Sequence, residues 1–202
     1  MQAEDIILPG THNIENYMAA FAAVSGLVSY ETMRMTAKNY RGVAHRIELV
    51  REHRAVRYYN DSIASSPSRA IAGIRALSAD ESPAGLERRN IILIAGGKDK
   101  GIPFDEFGTE IVACVKELVL TGVAANQILE AVEEAEGFNT PGCFSESQIH
   151  QCTDFKDAVK TAAALAKDGD IVLLSPACTS FDMFKNFEER GNTFKDIVNN
   201  LE

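Results

Sequence analysis

Two uninterrupted apolar runs, Ile171 to Leu174 and Ile91 to Ala95, frame the chain. Runs without polar alternation predict short strands covered on both faces, as in a parallel sheet. Pro176 stops the first, and Gly96-Gly97 ends the second. Upstream, Tyr17, Phe21, Val24 and Val28 recur at helical spacing, which predicts a helix over 12–28 with Gly26 close to its end. A shorter helix is expected from Tyr30 to about Lys38, and Asn39-Tyr40-Arg41-Gly42 reads as a linker. In RIELVREHRAVRYYND, Ile47, Leu49, Val56 and Tyr58 alternate with polar residues about a turn near His53-Arg54, the pattern of an antiparallel pair. Pro67 suits the first turn of the next helix, and Pro83 and Gly85 mark a loop.

From Phe104 the pattern gives a helix, a strand over 116–121, a helix over 124–135, a loop through Pro141-Gly142 and a short strand near Ile149. A helix over 154–167 turns Phe155, Val159, Ala162 and Ala166 inward and stops at Gly169. A last helix, over 192–201, buries Phe194, Ile197 and Val198. Strands alternating with helices predict an α/β fold, a Rossmann-like and mainly parallel sheet flanked by helices with right-handed crossovers. The boundary at the linker divides a helical segment, 1–40, from an α/β domain, 41–202.

Composition narrows the partners. The 202 residues are 46% hydrophobic and 24% charged, an ordinary globular balance, with a net charge of −9. That sign argues against a nucleic-acid or anionic-membrane surface and leaves room for an anionic small molecule held by a few placed cations. No apolar run approaches ~18 residues and no charged-then-apolar leader opens the chain, so neither a membrane span nor a signal peptide is expected. Cys114, Cys143, Cys152 and Cys178 form no CxxC pair, and His12, His45, His53 and His150 form no HExxH, so no metal site is expected and reduced thiols in the cytoplasm are the default.

Candidate chemistry gathers at strand ends. Ligands in open α/β sheets sit outside the carboxyl ends of strands. After Leu174 come Ser175, Ala177, Cys178, Thr179 and Ser180, then Phe181, Phe184 and Phe187. Hydroxyls and free backbone N–H groups there suit a carboxylate or phosphate, with phenylalanines excluding water, and an ordinary strand-to-helix corner gives the same composition. Lys98 and Lys100 follow the Gly96-Gly97 corner, a second plausible anion site, yet most loop lysines are merely solvated. Asn13 and Asn16 lie three apart on one helix face, where their amides suit an adenine edge or, equally, a helix cap and an exposed position. GxxxxGK[ST] and GxGxxG are both absent.

Five strings in order, LPGTHNIEN, GVAHRIE, YNDS, GGKDKG and SPACTSFDMFKNFEERG, run through essentially the whole chain. Together they resemble the C-terminal part of a muramyl ligase, most closely the branch that adds D-glutamate to UDP-N-acetylmuramoyl-L-alanine. The resemblance implies a fragment. Family members have three domains, so 1–40 would be the helical tail of the central ATP-binding domain and 41–202 the C-terminal amino-acid-binding domain. The missing N-terminal and central domains would be its partners.

The resemblance also implies roles. Asn13 and Asn16 match asparagines on the adenine of ATP, Arg46 an arginine on the nucleotide phosphates, and Asp61 an aspartate on the ribose. Lys100, Ser65, Ser180, Phe181 and Phe187 match the D-glutamate site. ATP phosphorylates the acceptor carboxylate, and the amino acid's amine attacks the acyl phosphate. The phosphate-cradling loop and the Mg2+ ligands belong to the missing central domain, so the resemblance assigns no catalytic residue to this chain and implies no bound cofactor and no turnover for the fragment alone. His45 reads as structural. One departure stands out: many members carry a lysine where this chain has Ile63, so a cation is absent there, and either a neighbouring cation replaces it, Arg69 being the nearest in sequence, or this subgroup works without it. The alternatives are another ligase of the superfamily, such as folylpolyglutamate synthase or a later muramyl ligase, and a non-catalytic α/β binding domain.

Overall fold

A computed structural model describes residues 5–8, 10–79 and 89–202. Pro83 and Gly85 lie outside the described residues. In chain order the elements are α1 (Thr11–Ala23), α2 (Tyr30–Asn39), β1 (Glu48–His53), β2 (Val56–Asn60), α3 (Pro67–Ala79), β3 (Ile91–Gly96) and α4 (Asp105–Cys114). Then come β4 (Val115–Thr121), α5 (Ala125–Glu133), a 3-10 turn (Glu146–Gln148), β5 (Ile149–Cys152), α6 (Phe155–Leu165), β6 (Ile171–Leu174) and α7 (Phe187–Asn199).

The six strands form one sheet in the order β1-β2-β6-β3-β4-β5. Only β1 runs antiparallel to its neighbour; all other pairs are parallel. The two apolar runs are therefore side by side, with Ile91 opposite Ile171 and Ile94 opposite Leu174. Every residue of β3 and β6 is buried, because helices cover both faces. On one face Leu93, Leu120 and Leu173 meet Ile74, Phe107 and Ile128 of α3, α4 and α5. On the other, Ile94, Val119 and Leu174 meet Phe155, Val159 and Phe194 of α6 and α7. At ~1.5–3 kcal/mol for each fully buried large side chain, these two layers supply most of the stabilisation.

Local chemistry explains most element ends. Ser29 accepts the Thr32 N–H at the start of α2, and Asp154 accepts those of Lys156 and Asp157 at the start of α6. Pro67 opens α3, as its sequence position predicts. The β1–β2 turn is made by Arg54 and Ala55, both at positive φ, the conformation that matches the twist of a two-residue hairpin.

Several expectations need correction. Helix α1 stops at Ala23 rather than continuing to 28, because the chain turns at Gly26, with φ +84°, and Ser25 bridges to Val28. Helix α6 ends at Leu165, with Ala166 already extended. Alternation in β1 breaks at a bulge between Leu49 and Arg51, leaving Leu49 51% exposed. Tyr58 and Tyr59 are both buried, since β2 is an interior strand paired to β6 as well as β1. The largest difference is α7, which starts at Phe187 instead of 192. Asn186 caps it by accepting the Glu189 N–H, and Gly191 lies inside the helix. A Cβ at Gly191 would overlap His45 Nδ1, so the glycine serves close approach rather than helix termination.

Candidate functional site

Parallel strands send their following loops to one edge of the sheet, so the segments after β2, β3, β4 and β6 converge there. The segment after β2 carries Asp61, 4% exposed, whose Oδ2 accepts the Ser175 hydroxyl at 2.8 Å and whose Oδ1 accepts the Ile47 N–H at 3.2 Å. Burial pushes this carboxyl up to about 7, against the opposing pull of those two bonds and of the Arg46 and Arg69 charges. Arg46, Asp61, Ile63 and Arg69 line one cavity of about 210 Å³. Ile63 and Arg69 therefore line the same cavity.

Arg46 and Ile47 also line a second cavity, of about 380 Å³, with Asn13, Asn16, Tyr17 and Phe21. Asn16 Nδ2 lies 3.5 Å from Asn13 Oδ1, so the two amides face one another on α1. The four residues expected to read a nucleotide, Asn13, Asn16, Arg46 and Asp61, therefore line two cavities that share Arg46 and Ile47 in their walls.

The loops after β3 and β6 are stitched together. Lys98 N–H donates to Thr179 O and Thr179 N–H to Lys98 O, both at 2.9 Å, while Gly96 N–H donates to Pro176 O at 2.9 Å. Gly97, at φ +130°, has no space for a side chain beside the Thr179 carbonyl. These bonds correct one expectation: the Gly96, Lys98 and Thr179 N–H groups are engaged in joining the loops and are not free for an anion. Lys100 Nζ donates to Ser65 Oγ at 3.0 Å, bringing two of the expected amino-acid residues together. Ser180 sits on the adjoining loop, one residue past the bridge, and is 3% exposed.

The phenylalanines separate. Phe184 stacks edge-on to Phe155 at 5.0 Å, and Phe187 edge-on to His45 at 5.9 Å. Phe181 is 65% exposed, so its ring shields nothing in this structure. His45 is 7% exposed and lies 3.0 Å from Asn60 Nδ2, a packed structural position.

Arg190 is the residue that sequence reasoning missed. It is 2% exposed; Nε donates to Ser62 Oγ at 3.0 Å, and Nη2 donates to Ser62 O at 2.9 Å and Cys178 O at 3.1 Å. Its Nη1 has no partner and lies against Gly97. Burial lowers the guanidinium to about 10, which leaves it charged at neutral pH. One side chain thus ties the segments after β2 and β6 and abuts the one after β3. The signal was present: Phe187 and Phe194 bracket position 190 at helical spacing, which turns it inward. Among the described residues no group of three His, Cys, Asp or Glu side chains is placed to hold a metal, and no helix is long and apolar enough to cross a membrane.

Comparisons with known proteins place the chain in a family. The chain is 49% identical over 201 residues to UDP-N-acetylmuramoylalanine--D-glutamate ligase of Acetivibrio thermocellus, covering 100% of the chain and 41% of that protein. It is 50% identical to the ligase of the same name from Clostridium novyi, covering 98% of the chain and 40% of the relative. The chain spans about two fifths of the length of these relatives. Its fold is shared with UDP-N-acetylmuramate-alanine ligase of Thermotoga maritima, at a TM-score of 0.68 and 14% identity over 96% of this chain and 39% of that one. Residues 45–178 match the Mur ligase, glutamate ligase domain, and the chain belongs to the Mur ligase family.

Proposed function

We propose that this chain is the C-terminal part of a cytoplasmic, ATP-dependent ligase that adds D-glutamate to UDP-N-acetylmuramoyl-L-alanine in peptidoglycan synthesis. The observation that carries the reading is identity near one half to D-glutamate ligases along the whole chain. In this reading residues 1–40 pack as the tail of a preceding ATP-binding domain. Their exposed Met18, Leu27, Tyr30 and Met35 suit a surface that is covered in the longer polypeptide.

The reaction joins an amine to a carboxylate. The acceptor carboxylate oxygen attacks the γ-phosphorus of ATP and ADP leaves; the D-glutamate amine attacks the acyl carbon, loses a proton, and phosphate departs with the C–O bond electrons. Positioning and charge stabilisation provide most of the rate. Asn13 and Asn16 would hold the adenine, Asp61 the ribose and Arg46 the phosphates, with Arg69 supplying the cation missing at Ile63. Lys100, Ser65, Ser180, Phe181 and Phe187 would hold D-glutamate. By the family resemblance, Mg2+ ligands and the phosphate loop would belong to the preceding domain.

The test is ATP-dependent incorporation of labelled D-glutamate into UDP-N-acetylmuramoyl-L-alanine. The full-length polypeptide carrying this chain turns over, and the 202-residue chain folds without turnover. Incorporation of a different amino acid, or turnover by the chain alone, overturns the reading.

A further inference from the structure

The two residues flanking Arg46 are held where non-glycine residues rarely go: φ is 65° at His45 and 44° at Ile47, the latter β-branched. Such a turn persists only when its surroundings over-determine it. Two carboxylates do so. Asp61 accepts the Ile47 N–H, and on the other side Glu48 Oε2 accepts the His45 N–H at 2.9 Å. Asp61 lines one of the two cavities that have Arg46 in their walls, whereas Glu48 lines neither.

Glu48 is itself fixed from outside the turn. Lys195 Nζ of α7 donates to Oε1 at 2.6 Å, and Asn60 Nδ2 donates to Oε2 at 3.3 Å. Burial opposes ionisation of this carboxyl, but the His45 N–H and the Lys195 ammonium outweigh it and hold it below the usual carboxylate range. Hydrogen bonds to a charged acceptor are the strong ones, and this one clamps the strained peptide next to the arginine.

We propose that Glu48 is a positioning residue for the nucleotide: it locks the His45–Ile47 turn so that Arg46 projects into the groove, and its Lys195 contact ties that turn to α7. The assignment rests on the nucleotide reading of the groove given above.

Displacement of a fluorescent ATP analogue from the full-length polypeptide, together with KM for D-glutamate, tests it. Glu48→Ala removes the acceptor for the His45 N–H and weakens ATP about 10-fold, with KM for D-glutamate within about 2-fold of wild type. Glu48→Gln presents a carbonyl oxygen at the Oε2 position and keeps the His45 and Asn60 bonds while giving up the Lys195 bond, since its NH2 cannot accept from an ammonium; the turn itself stays clamped, so ATP affinity returns to within about 3-fold. A merely structural glutamate would lower the melting temperature and move both substrates alike, and that result overturns the proposal, as does a glutamine variant as weak as the alanine one. Should Glu48→Ala fail to fold, Glu48→Asp decides, since it keeps the charge but is one methylene short. Weakened ATP with unchanged D-glutamate supports the clamp, and wild-type ATP affinity overturns it. A wild-type protein that binds no ATP analogue overturns the groove reading and this assignment together; equal binding by wild type and Glu48→Ala overturns the Glu48 role alone.

Discussion

Replacing Asp61 by asparagine should stabilise the chain at neutral and higher pH and change little in acid. The carboxyl is almost wholly buried, and burial moves it from 3.8 to about 7 although Ser175, Ile47, Arg46 and Arg69 all favour its charged form. With the folded pKa above the unfolded one, the folded state retains a proton that the unfolded chain releases. Its contribution is therefore full below about pH 4 and is lost as pH rises through about 7. A shift of about three units at ~1.4 kcal/mol each sets an upper bound of ~4 kcal/mol. Asparagine keeps an oxygen for the Ile47 N–H, and its amide can donate to the Ser175 hydroxyl, so the shape survives and the buried charge does not. Urea unfolding of both proteins at pH 4.5 and pH 8 should give a stability difference that grows in favour of asparagine by about 2–4 kcal/mol. A difference that stays constant with pH, or that grows in favour of aspartate, refutes the account of Asp61.

Ser180→Ala in the full-length enzyme should cost about 1–3 kcal/mol of transition-state binding in kcat/KM for D-glutamate, the loss of a hydrogen bond to a charged group; unchanged kinetics return Ser180 to a structural role. Gly191→Ala should destabilise the chain by about 1–3 kcal/mol in urea unfolding despite alanine's better helix propensity, because the new methyl group meets His45 Nδ1. A stabilised variant contradicts the close approach.

The sheet was legible because its central strands are apolar throughout: IILIA and IVLL read as doubly covered strands, and they pair in the middle. Element ends were less legible where tertiary contacts set them. Gly191 resembles a helix boundary in sequence, and only the approach of α7 to His45 and Asn60 shows why it is internal. The bulge at Leu49 and Arg51 likewise answers to packing rather than pattern. At the candidate site, the residues carried by the muramyl ligase resemblance, Asn13, Asn16, Arg46 and Asp61, line two cavities with a shared wall at Arg46, a grouping that their scattered positions could not convey. Arg190 and Glu48 stayed hidden because a charged side chain inside EERG or RIELV reads as solvated surface. Sequence suggests free N–H groups near the Gly96-Gly97 corner because it does not reveal that a loop 80 residues on will accept from Gly96 and Lys98.

The most direct test of the central claim, that the joined loops after β3 and β6 form the amino-acid site, is a steady-state comparison of Lys100→Ala with the wild-type full-length enzyme. The account predicts that KM for D-glutamate rises about 10-fold or more while KM for ATP stays within about 2-fold, since Lys100 stands beside Ser65 and lines neither of the cavities that the account gives to the nucleotide. Equal increases in the two constants would contradict it.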